Sequence, residues 1–426
     1  MTLIVGPGGV QGTVQAPPSK SVTHRALFAA FLAGRGTIRA PLIGADTLAS
    51  IEAIEAFGAT VERRPDELVV EASTVEPATI DVDNSGTTLR IATAVAALAA
   101  GTSRLTGDAS IRSRPMGPLV DALNEIGASA RCEGTDGTPP VEVIGPANGG
   151  AVTVDASVSS QFITALCLIG PHLTQGIDIT FKNPPVSRPY IDLTIETLER
   201  GGVVVETAAD RISIEHQPTE PVSMTIPGDY SGAAFPLVAG AMTGGPVTVE
   251  GLDPDSIQGD AKIVEFLRAF GTELEVGDSW VTVSGQALEP TRLDLSMTPD
   301  LFPPLAALAA CVDGTSELVG APHLRDKESD RIASMVSGLT TLGIEADERD
   351  DGATIHGGSP TGGVVDSHDD HRIQMALALL GLRASAPVEV TGRDDVHRVS
   401  YPGFIEMLET LGATPTLRTD TEEVGT

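Results

Sequence analysis

Six times along the chain, a helix-like pattern of apolar positions ends in glycine and gives way to alternating apolar and polar residues. The glycines are Gly58, Gly127, Gly202, Gly271, Gly343 and Gly412, separated by 69, 75, 69, 72 and 69 residues. Around the first the chain reads EAFGATVERRPDELVVE. The others stand in NEIGASARCEG, ERGGVVVETAADRISIE, RAFGTELEVGDSWVTVS, TTLGIEADERDDGATIH and ETLGATPTLR. Glycine just past a helix takes a left-handed conformation without steric cost, and the alternation beyond it reads as a β hairpin. A second helical segment precedes each glycine, over 21–33, 87–100, 161–169, 232–242, 301–311 and 372–382. These six are apolar nearly all round, so each must be buried on every side. Each repeat therefore reads β-α-β-α-β-β, an α/β unit. Six such units exceed one core, and the pattern predicts two domains of three units each.

The sixth unit is short. Only fourteen residues follow Gly412, and they end in the acidic run TDTEEVGT, which reads as disordered. A strand is missing there, and residues 2–5, ahead of the glycine-rich stretch 6–12, have no unit of their own and could supply it. Residues 1–16 are thus expected to join 227–426 in a discontinuous domain, with 17–226 inserted as the other. The two crossings, near Pro17-Pro18 and Pro227-Gly228-Asp229, would form a hinge.

Composition narrows the setting. The chain has 426 residues, 41% of them hydrophobic and only 3% aromatic, so both cores must be aliphatic and alanine-rich. No apolar run approaches the roughly 18 residues of a membrane span, and no basic stretch precedes an apolar one at the N-terminus. Neither a span nor a signal peptide is expected. Cys132, Cys167 and Cys311 are odd in number and far apart, with Cys167 in an apolar run that reads as core. They give no reason to expect disulfides or zinc, and the expected location is the cytoplasm. Charge changes the picture more. Fifty-eight acidic residues against 27 basic ones leave a formal net charge of -31, which argues against nucleic acid or anionic membrane as partners. The lysines are Lys20, Lys182, Lys262 and Lys327 alone. An acidic, lysine-poor surface suits concentrated salt, where the screening length shortens to about 3 Å near 1 M and self-repulsion fades. Basic residues that persist in such a chain, gathered in motifs, are marked for a task.

They gather where stability alone would not place them. Lys20 and Arg25 stand in PSKSVTHRAL, Arg114 in RSRPMG, Arg188 in SRPYID, Lys327 and Arg331 in KESDR, and His371 and Arg372 in DDHRIQ. All are at expected helix starts, where a cation opposes the macrodipole. Beside them Asn84-Ser85-Gly86 and Ser159-Ser160-Gln161 offer small hydrogen-bonding groups at similar positions. Ser, Asn and Asp are also ordinary caps, and any single arginine could pair with the acidic surface. Taken together they describe a site for a ligand with several negative charges, phosphates and carboxylates, that spans both domains.

Other chemistries lack their signatures. There is no G-x-x-x-x-G-K-[ST], so no P-loop, and Gly6-Pro7-Gly8-Gly9 reads as a turn. No G-x-S-x-G stands near a strand end, so no nucleophile elbow is expected. His368, Asp369, Asp370 and His371 are adjacent rather than at ligand spacing, and Arg372 would repel a cation, so no metal is expected.

Seven segments, taken in order, carry a resemblance. Pro18-Ser-Lys-Ser-Val-Thr-His-Arg25, Asn84-Ser-Gly-Thr-Thr-Leu-Arg90, Arg114-Pro-Met-Gly117, Ser157-Val-Ser-Ser-Gln-Phe162, Val186-Ser-Arg-Pro-Tyr-Ile-Asp192, Lys327-Glu-Ser-Asp-Arg331 and Asp370-His-Arg372 resemble the motif series of the 5-enolpyruvylshikimate-3-phosphate synthases. The resemblance runs over essentially the whole chain. It implies two domains of three β-α-β-α-β-β units, with helix N-termini facing an interdomain cleft that closes on substrate. It also implies a monomer without cofactor that transfers the enolpyruvyl group of phosphoenolpyruvate to the 5-hydroxyl of shikimate 3-phosphate and releases phosphate. The inserted domain would bind mainly shikimate 3-phosphate and the discontinuous one mainly phosphoenolpyruvate.

By position, the resemblance implies that Lys20 touches both substrates, with Ser21 and Arg25 on shikimate 3-phosphate. Ser159, Ser160, Gln161 and Ser187 would hold that substrate and its phosphate, with Tyr190 lining the pocket. Gly86, Arg114, Arg331 and Arg372 would bind phosphoenolpyruvate, with Gln161 shared. Asp300 and Lys327 would contact the attacking hydroxyl, Asp300 as its base, and Lys20 or Glu328 would donate the proton to the methylene carbon. Asp300 could also be an N-cap for the helix over 301–311, alone or together with the role of base. Two positions depart from the family pattern: His323 where members often have Asn, and Val399 where some carry a lysine, with Arg398 beside it. A sister enzyme acting on a UDP-sugar would usually carry a reactive cysteine where this chain has Arg112-Ser113-Arg114. A non-enzymatic acidic scaffold gives no reason for cations at helix starts.

Because the net charge of -31 is tolerable only when screened, dialysis into dilute buffer is expected to unfold the chain. Circular dichroism against salt concentration measures this. Full structure and activity in dilute buffer would contradict the salt reading.

Overall fold

The computed structural model describes residues 2–285, 288–393 and 395–418. The terminal run 419–426, read above as disordered, lies outside the described residues. Contacts divide the chain into two compact units: residues up to Pro17 with those from Pro227, and Pro18–Ile226. Each unit has its own aliphatic core.

The Pro18–Ile226 unit contains helices Lys20–Leu32 (α1), Ala45–Ala56 (α2), Gly86–Ala96 (α3), Gly117–Glu125 (α4), Ser160–Ile169 (α5) and Arg188–Arg200 (α6). The other contains Tyr230–Thr243 (α7), Ile263–Ala269 (α8), Phe302–Ala309 (α9), Arg331–Thr341 (α10), His371–Leu380 (α11) and Phe404–Thr410 (α12). The odd-numbered helices are the apolar ones of the repeat. They are buried along nearly their whole length, α11 at every residue, because no face of them is polar enough to meet water. In each unit the three pack on one another, α1 with α3 and α5, and α7 with α9 and α11. The even-numbered helices bury one stripe, as α10 does with Ile332, Met335 and Leu339.

Among the described residues six four-stranded sheets complete the units, and all share one order: a parallel pair continued by two antiparallel strands. In one, Thr79–Asp81 runs parallel to Thr102–Thr106, which pairs antiparallel with Val141–Ile144, and Ser129–Cys132 forms the edge. Three sheets take a strand from far along the chain. Thr2–Val5 lies between Val388–Thr391 and Thr416–Arg418, supplying the strand that the last repeat lacks. Gly12–Gln15 runs parallel to Val247–Glu250, and Val222–Thr225 runs parallel to Arg35–Arg39. The six repeat glycines all have positive φ, from 75° at Gly202 to 105° at Gly58. Each turns the chain from an even-numbered helix into its hairpin or edge strand.

Two helices, of 11 and 8 residues, fall well short of their apolar runs. The second buried helix stops at Ala96 rather than 100, because Ala97 O accepts from Ala147 N at 2.7 Å and the next turn tightens to i→i+3 bonds. The fifth starts at Phe302, behind a 3-10 turn at Pro299–Leu301. Pro303 and Pro304 have no N–H to offer and fit only the first helical turn. No described helix is long and apolar enough to cross a membrane. Cys167 and Cys311 are free thiols whose pKa burial pushes up to about 12, so they sit as inert packing groups.

Candidate active site

Within the Pro18–Ile226 unit, the first two turns of α1, the starts of α3, α5 and α6 and the 3-10 turn ahead of α4 carry the residues singled out from sequence. Ser19 caps α1 by accepting from Val22 N, which places Lys20 in the first turn. Lys20 Nζ donates to Asp46 Oδ2 at 2.8 Å, and Asp46 is itself buried at the start of α2. One turn on, Arg25 donates from Nε to Thr194 Oγ1 (2.9 Å), from Nη1 to the Ser21 carbonyl (2.7 Å), and from Nη2 to Thr164 Oγ1 (3.2 Å) and the Tyr190 carbonyl (2.7 Å). Its guanidinium also lies 6.0 Å from the Tyr190 ring centroid. All four acceptors are neutral, and burial pulls the Arg25 pKa down to about 10, which still leaves it charged at neutral pH. Arg25 thus ties Ser21 to Tyr190 and carries a buried charge bonded to no carboxylate among the described residues.

Ser159 caps α5 by accepting from Gln161 N at 3.2 Å, with Ser160 next. Gln161 Nε2 reaches across to Thr87 Oγ1 of α3 at 3.1 Å. Ser187 precedes α6 in a left-handed conformation (φ 52°, ψ 43°), and its hydroxyl does not cap the helix. A non-glycine residue held there stores strain of the kind found at functional sites. At α3, Ser85 caps Thr88 N, and Gly86 opens the helix. A Cβ on Gly86 would run into Arg114 Nη1 and lie 2.6 Å from Arg90 Nη1. Only glycine lets two guanidiniums approach this N-terminus. Arg114 is 5% exposed and donates to Ser110 Oγ at 3.3 Å.

The second cluster lies in the other unit, at the first turns of α10 and α11 and the 3-10 turn ahead of α9. Arg331, 2% exposed, donates to Asp300 Oδ1 (2.9 Å), Glu328 Oε2 (2.7 Å) and Asp370 Oδ2 (2.8 Å). Burial works against its charge, and Asp370, Glu328 and Asp300 more than offset that, holding its pKa above the usual arginine range. Arg372 Nη2 lies 3.1 Å from Asp300 Oδ2. Burial disfavours the Asp300 carboxylate, but Arg372, Arg331 and Lys327 hold its pKa well below the usual range. Asp300 is therefore not the cap of the fifth buried helix, as its position could suggest. It stands inside the 3-10 turn that the two prolines impose, with its carboxylate turned to the two arginines. Asp370 caps α11 through Arg372 N at 2.9 Å, and Asp330 caps α10. Lys327 and Glu328 sit half-buried in the approach to α10. His323 is close enough to Lys327 and Asp300 to feel both, and burial with Lys327 lowers its pKa to about 4.

Not every basic residue joins a cluster. Arg188 makes an i,i+4 pair with Asp192 at 2.8 Å, a bond of the ordinary surface kind. Arg398 is exposed and 3.7 Å from Asp395, while Val399 is buried. His368 and Asp369 shape the turn before α11, where Asp369 Oδ1 accepts from Arg393 N. Sequence reasoning missed Asp46, Arg90 and Asp260. Arg90 stood in a quoted motif without a role, and Asp46 reads as a first-turn acid of α2.

The chain is similar to known proteins over nearly its whole length. Residues 4–408 match the family model for EPSP synthase (3-phosphoshikimate 1-carboxyvinyltransferase). The chain belongs to the EPSP synthase family. It is 42% identical to a 3-phosphoshikimate 1-carboxyvinyltransferase of Methanocella arvoryzae over 413 residues, 95% of this chain and 97% of that protein. One from Halobacterium salinarum is also 42% identical, over 97% of this chain and 99% of its own. An EPSP synthase structure from Acinetobacter baumannii superposes with a TM-score of 0.80 at 28% identity, covering 98% of this chain and 100% of that one. In this EPSP synthase fold the α/β repeats gather charged helix starts within each unit.

Asp260 gives the site a pH signature. Its carboxylate meets Ser231 Oγ at the start of α7. Burial, then the charges of Asp300 and Asp229, push its pKa up to about 7, with Ser231 and Arg372 pulling down. The folded chain thus keeps a proton that the unfolded chain, with an aspartate near pKa 4, has released. Stability from this group is full below about pH 4 and is lost as pH rises through about 7. Asp260→Asn removes the titration, so urea unfolding should show the variant gaining on the parent across that window. A constant difference would contradict the assignment.

Proposed function

We propose that the chain is a 3-phosphoshikimate 1-carboxyvinyltransferase, transferring the enolpyruvyl group of phosphoenolpyruvate to the 5-hydroxyl of shikimate 3-phosphate with release of phosphate. The full-length family match carries this reading, and the two sets of buried cations at helix starts give it a physical basis. Both substrates are multiply charged anions. The cations needed to hold them are present in a chain that otherwise spends its charge on acids. A cytoplasmic setting rich in salt fits the same composition, and a Halobacterium relative supports it.

In the proposed mechanism Lys20, Ser21, Arg25, Ser159, Ser160, Gln161, Ser187 and Tyr190 hold shikimate 3-phosphate. Gly86, Arg114, Arg331 and Arg372 hold phosphoenolpyruvate, and Lys327 lies at the attacking hydroxyl. The hydroxyl attacks C2 of the enol phosphate while the methylene carbon takes a proton from Lys20 or Glu328. As the tetrahedral intermediate expels phosphate from C2, its methyl carbon returns a proton to the group that supplied it and the carbon–carbon double bond is restored, while the arginines stabilise the charge of the departing phosphate. Asp300 is a weak base while two arginines grip it. An anion that engages Arg331 and Arg372 draws part of their charge away and so raises the basicity of Asp300 at the moment it must accept the proton.

Phosphate release, measured with shikimate 3-phosphate and again with a UDP-sugar as acceptor, tests the substrate. Turnover is expected with the first alone. Asp300→Asn should lower kcat by roughly 10²–10⁴-fold. It should also melt lower, since Asp300 is an ion-pair partner rather than a cap, so kcat is read on folded protein in high salt. Normal turnover by this variant would require a different base.

A further inference from the structure

Beneath the first turns of α1, α2 and α3 runs a chain of hydroxyls ending in an imidazole. His24 Nδ1 lies 2.7 Å from Ser50 Oγ, Ser50 Oγ lies 2.7 Å from Thr88 Oγ1, and Thr88 Oγ1 lies 2.7 Å from Ser85 Oγ. Thr88 Oγ1 also reaches the Asp46 carbonyl at 3.3 Å. His24, Ser50 and Thr88 are fully buried, and Ser85 is 1% exposed. Each branch ends beside a substrate contact proposed above. Asp46 holds Lys20 Nζ through its carboxylate, and Ser85 caps α3 directly ahead of Gly86.

Counting protons fixes the direction of the chain. If Thr88 spends its one proton on the Asp46 carbonyl, Ser50 and Ser85 must both donate to Thr88. Ser50 oxygen then accepts from His24, which carries its proton on Nδ1. Nε2, buried with no hydrogen-bond partner among the described residues, is left as a lone pair rather than a stranded N–H. The imidazole is neutral. Burial and the charges of Lys20 and Arg25 hold its pKa well below 6.5.

We propose that His24, Ser50 and Thr88 are positioning residues. They fix Asp46, and through it the Lys20 ammonium, in register with the Ser85-Gly86 turn, without touching either substrate. The inference rests on the reading of Lys20 and Gly86 as substrate contacts. Three separate helices supply the parts, and a chain with one proton per oxygen tolerates no missing member.

Ser50→Ala removes one oxygen and little volume. It should lower kcat/KM for phosphoenolpyruvate roughly 10- to 100-fold, the scale of a small misplacement at a reacting site. His24→Leu should do the same, and His24→Asn, which keeps an N–H close to Nδ1, should recover most of the loss. Thr93→Val is the structural control: Thr93 is buried on α3 and bonded to the Leu89 carbonyl of its own helix, so it should melt lower with its kinetic constants kept. If Ser50→Ala melted lower with kcat and KM unchanged, as the control does, the positioning role would be overturned. Should His24→Leu fail to fold, Ser50→Ala alone decides between these outcomes. Lys20→Met separates the two readings. Full activity in Lys20→Met would remove the Lys20 assignment and this inference together, whereas an inactive Lys20→Met beside a normal Ser50→Ala would remove the inference alone.

Discussion

A guanidinium buried at the first turn of a helix faces two costs at once, loss of water and the positive end of the helix dipole. Arg331 meets both at 2% exposure, and the surrounding structure is arranged around that fact. Three carboxylates from three places in the chain, Asp300, Glu328 and Asp370, converge on it. Asp300 reaches it because Pro303 and Pro304 push the start of α9 back by a turn. Asp370 reaches it because it caps the neighbouring α11. Removing any one partner leaves charge buried without compensation, so the three helix starts are held in one arrangement. That arrangement also sets Arg372 against Asp300.

The Pro18–Ile226 unit handles the same difficulty differently. Arg25, one turn into α1, is as deeply buried, but its acceptors are two threonine hydroxyls and two carbonyls. Neutral oxygens satisfy its donors without cancelling its charge, and its lowered pKa records the remaining cost. A site that must attract anions gains from such uncancelled charge, whereas a site that must also hold a base gains from the carboxylates around Arg331. The two solutions match the two tasks assigned here.

Much of this was legible in the sequence. The glycine period shows the repeat, since a left-handed residue must close each helix, and the apolar helices show which elements are internal. The motifs show which cations are unusual. Periodicity cannot show partners that are remote in sequence. Gly12–Gln15 and Val222–Thr225 look like ordinary short alternating runs until their sheets are seen. Asp46 and Asp260 carry no motif of their own, because what matters about them is which side chain they meet. Asp300 reads as a cap by spacing alone, and the prolines after it decide otherwise.

Unlike Arg331, whose ion pairs also hold three helix starts together, the cations of the Pro18–Ile226 unit are proposed to stand at helix starts for anionic substrates and not for the fold. Arg114 tests this central claim most directly, being packed against Gly86 at the opening of α3. Arg114→Met keeps the volume and removes the charge. The KM for phosphoenolpyruvate is then expected to rise roughly 10- to 100-fold, the worth of a charge-assisted hydrogen bond. Unfolding free energy should change by less than about 1 kcal/mol, because a cation at a helix start is no asset to the helix. A variant that binds phosphoenolpyruvate normally while losing several kcal/mol of stability, on the scale of a broken buried network, would contradict the claim.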